Sequence, residues 1–308
     1  MTQEIINKIN KLKQEKNAII LTHCYQNIEI DEVSDYVGDS LYLSQMAAKT
    51  DADIIIFAGV YFMAQTAKIL SPNKKVLLPT LESGCRMADM IDIKQIKEFK
   101  SNFYDMPVVC YINTTAEVKT ECDICCTSSN AVQIVKSLNA KEILFVPDTY
   151  LGKWVESQLE NVKVNTYPGF CPTHLQIREK HMIEARAKYP NAKILAHPEC
   201  HSEVVKLADY VGSTTGIMNY AINSNEKQFV IATEEGVIDR LRRDCKDKEF
   251  ILIKDKVICP NMKFNTLSEI LNCLEKEEHE IFIKEEVATK ALTCLNNMLD
   301  VSKNKVGV

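Results

Sequence analysis

The sequence predicts three similar α/β/α domains with parallel sheets, set in a pseudo-threefold arrangement around a central cavity. Three observations carry this expectation. Cys85, Cys171 and Cys259 each stand just beyond an apolar strand-like run, spaced 86 and then 88 residues apart. His23, Tyr111 and His197 each end a short apolar segment, and a hydroxyl follows 17 residues later every time, at Ser40, Ser128 and Thr214. From hydroxyl to cysteine the steps are 45, 43 and 45 residues. Internal repetition decides architecture before any motif does. A period close to one third of the chain is that of a small domain, so three docked domains are expected rather than a solenoid.

Taken in order, residues 2–17 read as an amphipathic helix, with Ile5, Ile6, Ile9 and Leu12 at helical spacing. A strand at 18–22, a polar connection, a helix at 40–50, the strand ADIIIFAG, a helix at 60–70 and the strand KKVLLP complete the first unit. The second has a strand at 107–111, a buried strand around CDICC, a helix at 129–138, the strand EILFV, a helix at 150–159 and the strand VKVNT. After Cys171 a continuous helix is expected over 174–188, ended at Tyr189-Pro190. The third unit offers strands at 192–196, DYVGS, FVIAT and EFILI, with helices at 201–208, 215–224 and 236–243. Strands that are apolar throughout, alternating with helices, describe a parallel sheet covered on both faces. Expected boundaries are 1–84, 85–170 and 171–262, followed by C-terminal helices in 263–308 that pack back on the body. The last residues, SKNKVGV, are expected to fray.

Composition narrows the classes. A net charge of −5 and a pI near 5.8, with no basic stripe, argue against nucleic-acid binding. The start is polar, and the longest apolar run, Ile54 to Ala64, falls short of the ~18 residues a membrane span needs. Twelve cysteines without a secretion signal point to a reducing, cytoplasmic setting in which thiols serve metals or catalysis. Most of the twelve read as small buried hydrophobes.

In open parallel sheets chemistry collects beyond the carboxyl ends of strands, and the repeated residues all lie there. Three thiolates leave a structural zinc one ligand short. A 4Fe-4S cluster bound by three cysteines keeps one iron open to substrate. Ligands drawn from separate domains, and the lack of a matching fourth cysteine, favour the cluster. Cys122, Cys125 and Cys126 contain a C-x-x-C once, without counterparts in the other units, and read as packing.

The chain resembles the quinolinate synthases, the A protein of de novo NAD biosynthesis. The resemblance rests on THCYQ at 22–26, VGDS at 37–40, SGCRMAD at 83–89, YINTTAEVK at 111–119 and CCTSSNA at 125–131. It continues with PDTYLG at 147–152, PGFCPTH at 168–174, AHPEC at 196–200, VGSTTG at 211–216 and CPNMK at 259–263. Cys24 departs from the larger polar or aromatic residue usual between that His and Tyr. The resemblance implies a transferase that condenses iminoaspartate with dihydroxyacetone phosphate to quinolinate, releasing phosphate and two waters. It also implies an iron–sulfur (4Fe-4S) cluster on Cys85, Cys171 and Cys259, and a supplying enzyme that oxidises L-aspartate.

Site residues implied by the resemblance are His23, Tyr25, Ser40, Tyr111, Asn113, Ser128, His174, His197, Glu199 and Thr214. Of these, Glu199 is expected as principal base, with Tyr25, Tyr111 and His197 in proton transfer. His23, Ser40, Asn113, Ser128, His174 and Thr214 are expected to bind substrate, the three hydroxyls by cradling anions at helix starts. A diphthamide-type enzyme would share the three-domain, three-cysteine plan, but CTSSNA and AHPEC argue against it. An iron–sulfur carrier or sensor would carry four ligands, and a sensor a basic DNA-binding helix.

Overall fold

The computed structural model describes residues 2–103 and 105–303. Residues 304–308 of the tail expected to fray lie outside it, while Ser302 and Lys303 are helical.

The first domain comprises α1 (Thr2–Glu15), β1 (Ala18–His23), β2 (Tyr36–Gly38), α2 (Ser40–Lys49), β3 (Ile54–Ala58), α3 (Tyr61–Leu70) and β4 (Lys75–Leu77). After α4 (Ile93–Ser101) come β5 (Val108–Tyr111), α5 (Ala116–Lys119), β6 (Ile124–Cys126), α6 (Ala131–Ser137), β7 (Glu142–Val146), α7 (Thr149–Ser157) and β8 (Lys163–Thr166). The third set is α8 (Glu179–Lys188), β9 (Lys193–Ala196), α9 (Ser202–Lys206), β10 (Tyr210–Val211), α10 (Thr214–Asn223), β11 (Gln228–Ala232), α11 (Gly236–Asp244) and β12 (Glu249–Leu252). Two helices close the chain, α12 (Leu267–Lys276) and α13 (Glu285–Lys303).

Each domain holds one four-stranded sheet, ordered β2-β1-β3-β4, β6-β5-β7-β8 and β10-β9-β11-β12. All strand pairs are parallel. The three-domain α/β expectation is therefore borne out. The interval of 17 residues is a consequence of sheet register. His23 lies opposite Gly38 and Tyr111 opposite Cys126, while Ala196 opposite Val211 sets His197 level with Gly212. The hydroxyl is two residues further on in every copy, just past the sheet edge.

One repeated device pins that register. Asp35, Asp123 and Asp209 each precede the short second strand, and each carboxylate accepts the backbone N–H of Ile20, Val108 or Ile194 at 2.7 Å. A charge-assisted bond of this kind satisfies a strand donor that the short edge strand leaves unpaired.

Two stretches differ from expectation. The polar connection after His23 contains a 3-10 turn, Ile28–Val33, and β2 itself. Residues 174–188 are not one helix: a 3-10 turn at His174–Gln176 is followed by extended Ile177, and α8 starts at Glu179. Ile177 is buried in the third domain's core against Met182 and Val204, which a continuous helix would not allow.

The closing helices pack on different domains. Ile270, Cys273 and Leu274 of α12 join Ile9 of α1 over Ile20, Ile54 and Ile56 of the first sheet. Ala291, Cys294, Leu295 and Met298 of α13 form a buried stripe at helical spacing that packs against α3, α5, α6 and β6.

Candidate active site

The carboxyl ends of the three sheets face one cavity of about 130 Å³. Its lining includes Cys85, Cys171 and Cys259 and all ten other residues that sequence reasoning selected. Apolar walls come from Val60, Phe62, Met63, Met87 and Met262.

The first strand of each domain delivers residues i and i+2 to the cavity: His23 and Tyr25, Tyr111 and Asn113, His197 and Glu199. In two copies the backbone N–H of residue i+2 donates to Nδ1 of the histidine, at 3.1 Å for Tyr25 and 3.3 Å for Glu199. That bond curls the chain so both side chains point inward. Burial, with Arg240 next, lowers the pKa of His23 to about 3; burial lowers His197 to about 3 as well. Both rings are neutral near pH 7.

Contacts across domain boundaries close the ring. Tyr111 Oη donates to Glu199 Oε1 at 2.5 Å, and His197 Nε2 meets Ser128 Oγ at 3.3 Å. Tyr25 Oη is bonded to both Thr214 Oγ1 and Thr233 Oγ1 at 3.0 Å. His174 Nε2 meets the same Thr233 at 2.9 Å, and its ring stacks on His197 with centroids 4.6 Å apart. His174 Nδ1 faces Glu199 Oε2 at 2.8 Å and Cys171 Sγ at 3.2 Å. Burial disfavours the Glu199 carboxylate, but His197 and His174 with the Tyr111 hydroxyl outweigh it and hold the group well below its ordinary value. The Tyr111 and Tyr25 phenols move the opposite way, raised by burial and by Glu199.

The helix starts differ in detail from the expectation. Asp39 and Ser213, not Ser40 and Thr214, cap α2 and α10, accepting from Tyr42 N and Gly216 N. Ser40 and Thr214 are the first helical residues, so their hydroxyls are released from capping. Ser128 sits two residues ahead of Asn130, the cap of α6. Asn113 Oδ1 is buried without a hydrogen-bond partner from the protein.

All three cysteines are half-buried and none is in a disulfide. Burial pushes the Cys85 thiol up to about 12, and raises Cys171 and Cys259 too. Cys171 lies near enough to Cys259 and Cys85 for the charges to interact. Cys171, His174 and Glu199 bring one donor atom each within 4.8 Å of one another, whereas Cys85 and Cys259 stand outside that circle. All three cysteines line the same cavity, one from each domain.

Several supporting residues had gone unselected. Thr233, at the end of β11, joins Tyr25 to His174. Glu234 accepts the Cys259 N–H at 3.2 Å and pairs with Lys263 at 3.1 Å, and Lys263 donates to the Tyr25 carbonyl at 2.6 Å. Fully buried Arg240 donates to the carbonyls of Cys24 and Gln26 and pairs with Asp31, tying α11 to the loop that carries Tyr25. Sequence signals existed only for Asp39 and Ser213, which stand where N-caps belong.

Fold and site together define a three-domain parallel α/β protein whose inter-domain cavity is lined by thiols, imidazoles and hydroxyls. Residues 7–300 match the family model described as quinolinate synthetase A protein. The chain is 50% identical over 297 residues to quinolinate synthase of Alkaliphilus metalliredigens, covering 96% of this chain and 98% of that one. It is 47% identical to the quinolinate synthases of Sulfurihydrogenibium sp. and Dehalococcoides mccartyi, over 97% and 98% of its length and 99% and 100% of theirs. The chain belongs to the quinolinate synthase family. No helix among the described residues is long and apolar enough to cross a membrane.

Proposed function

We propose that the chain condenses iminoaspartate with dihydroxyacetone phosphate to quinolinate, with loss of phosphate and two waters. Cys85, Cys171 and Cys259 would hold a 4Fe-4S cluster. The observation that carries this reading is the meeting of three cysteines, one from each domain, in one cavity with the imidazoles and hydroxyls of the strand ends. The donor chemistry also fits, since thiols whose burial disfavours free thiolate need a cation to displace the proton. When bound, the cluster supplies a Lewis-acidic iron for a hydroxyl-bearing reactant.

The protein's own groups divide the remaining work. Both reactants are anions, and the starts of α2 and α10 offer N–H groups and the hydroxyls of Ser40 and Thr214. Arg86, at the cavity lining, adds positive charge. Neutral His23 and His197 present ring nitrogens as hydrogen-bonding groups. Asn113 Oδ1 accepts from a nitrogen-bound hydrogen of the reactant. Tyr111 and Glu199 act as one unit: the carboxylate holds the phenol by its proton, and the phenol exchanges protons with substrate. Tyr25 does likewise through Thr214 and Thr233. Phe62, Met63, Met87 and Met262 limit water, which protects the hydrolysable imine.

The test is anaerobic reconstitution with iron and sulfide, followed by mixing with both reactants and chromatographic detection of quinolinate. A folded, cluster-loaded protein that yields none refutes the proposal. Iron content near one atom per chain, held by Cys171, His174 and Glu199, would instead indicate a mononuclear site.

A further inference from the structure

A second group of thiols lies outside the cavity, between the second sheet and the last helix. Cys110 on β5, Cys122 ahead of β6, Cys125 on β6 and Cys294 on α13 converge there. Cys110, Cys125 and Cys294 have no exposed surface. Two of the four thiols are engaged locally: Cys110 Sγ with Thr114 Oγ1 at 2.9 Å, and Cys122 Sγ with the Val118 carbonyl at 3.3 Å. The sulfurs of Cys125 and Cys294 face each other at 3.2 Å, although 169 residues separate them in sequence. A second feature marks the place. Lys119, also buried, donates to the carbonyls of Ile112 and Thr114 and to Thr114 Oγ1, the hydroxyl that meets Cys110. Burial nevertheless raises the thiols of Cys125 and Cys294, more than Lys119 offsets at Cys125, so the closed pair rests as thiols and exchanges only when the site opens to water.

We propose that Cys125 and Cys294 form a reversible disulfide that fastens α13 to β6. A disulfide requires an S–S distance of ~2.05 Å, so closure asks for roughly 1 Å of approach by two side chains on elements already packed together. The oxidant is a small organic disulfide. One protein thiolate attacks it, forming a mixed disulfide and expelling a small thiolate. The second protein thiolate then attacks the protein-side sulfur, breaks the mixed bond and expels the other small thiolate. Two protein thiols have lost two electrons and two protons, and the reagent is reduced to two thiols. Access comes through local opening of α13 from the second domain, since single elements can open below the cost of global unfolding.

Such a bond would close a long loop and restrict the unfolded chain. The melting temperature of the oxidised protein should rise by on the order of 5 °C. It would also tie α13 to the strand that leads, three residues on, to Ser128 in the cavity.

The test incubates full-length, cluster-loaded protein with hydroxyethyl disulfide, blocks remaining thiols by alkylation, and maps peptides by mass spectrometry. The expected result is a Cys125–Cys294 cross-linked peptide, removed by dithiothreitol and absent from Cys125→Ala and Cys294→Ala. The rise in melting temperature should appear in the wild type alone. Recovery of both residues as alkylated thiols or as separate mixed disulfides overturns the proposal, as does a Cys110–Cys294 cross-link. Tightly held zinc on these thiols, surviving removal of iron, overturns it as well. Peptide mapping of the wild type decides the matter even where a variant fails to fold, and none of these readouts depends on quinolinate formation.

Discussion

Cys85, Cys171 and Cys259 sit on loops past the strand ends, half-buried and turned to the central cavity, whereas Cys110, Cys125 and Cys126 lie within strands of the second sheet with no exposed surface. Both sets follow apolar runs, and both have thiols raised or perturbed by burial. What separates them is the backbone. A strand residue is held by its ladder and must share a face with its own domain's core. A loop residue past the sheet edge can meet partners from other domains. The loop position brings residues of three domains into one cavity, and the strand position makes packing or a local contact.

The strongest way to break this contrast is to remove one thiol from each set. Cys85→Ala, Cys171→Ala and Cys259→Ala should each abolish the brown colour of the reconstituted protein and all quinolinate formation. Retained colour in any one of the three would contradict its assignment as a ligand. Arg240→Ala comes next. It strands the carbonyls of Cys24 and Gln26 and removes one partner of Asp31, and losing a buried charged partner costs about 3–5 kcal/mol. Urea denaturation would register this as a lower midpoint; an unchanged midpoint would show that the contact between α11 and the Tyr25 loop carries no stability.

Tyr111→Phe probes the cavity side without touching a cysteine. It deletes the 2.5 Å bond to Glu199 and the exchangeable proton, for an expected loss of about 10²-fold in turnover. Cluster absorbance should stay intact, so a rate equal to wild type would remove Tyr111 from the chemistry. Cys126→Ala is the counterpart on the packing side. Deleting one buried sulfur should cost about 1–2 kcal/mol of stability, with colour and activity kept.

The same contrast explains what could be read from the chain beforehand. Repetition was visible because parallel register converts a fixed geometry into a fixed count: Gly38, Cys126 and Gly212 must come level with His23, Tyr111 and His197. The apolar strands β3, β7 and β11 announced themselves through burial on both faces. The short β2 was lost in a polar connection, although its counterparts within CDICC and DYVGS were read as strands, and the aspartates that pin all three look like ordinary loop residues. The break at Ile177 was hidden because 174–188 has good helix formers throughout, and only the pull of the third core on Ile177 ends the turn. Thr233, Arg240 and Lys263 reach the loop that carries Tyr25 across some 200 positions or more, and local sequence carries no trace of that.

A pair of carboxylates extends the comparison to pH. Glu199 is held ionised in the cavity by buried donors, while Glu277 reaches a similar state near the surface by another route. Glu277 ends α12 in the left-handed region, with φ 53°, and pairs with Lys16 at 2.6 Å and Lys75 at 2.5 Å. Hydrogen bonds from Lys16 and Lys75 lower its pKa from 4.5 to about 2. A carboxyl whose folded value lies below its unfolded one stabilises the fold above the unfolded value, and that contribution is lost as pH falls through the folded value. Glu277→Gln should therefore cost about 1 kcal/mol at pH 7, the scale of partly exposed ion pairs. The gap from wild type should close between pH 4.5 and about 2, and shrink in high salt. Paired urea titrations at pH 7, 4 and 3 would check the sign. A gap that stayed constant with pH would mean that the charge of Glu277 is not what stabilises the fold.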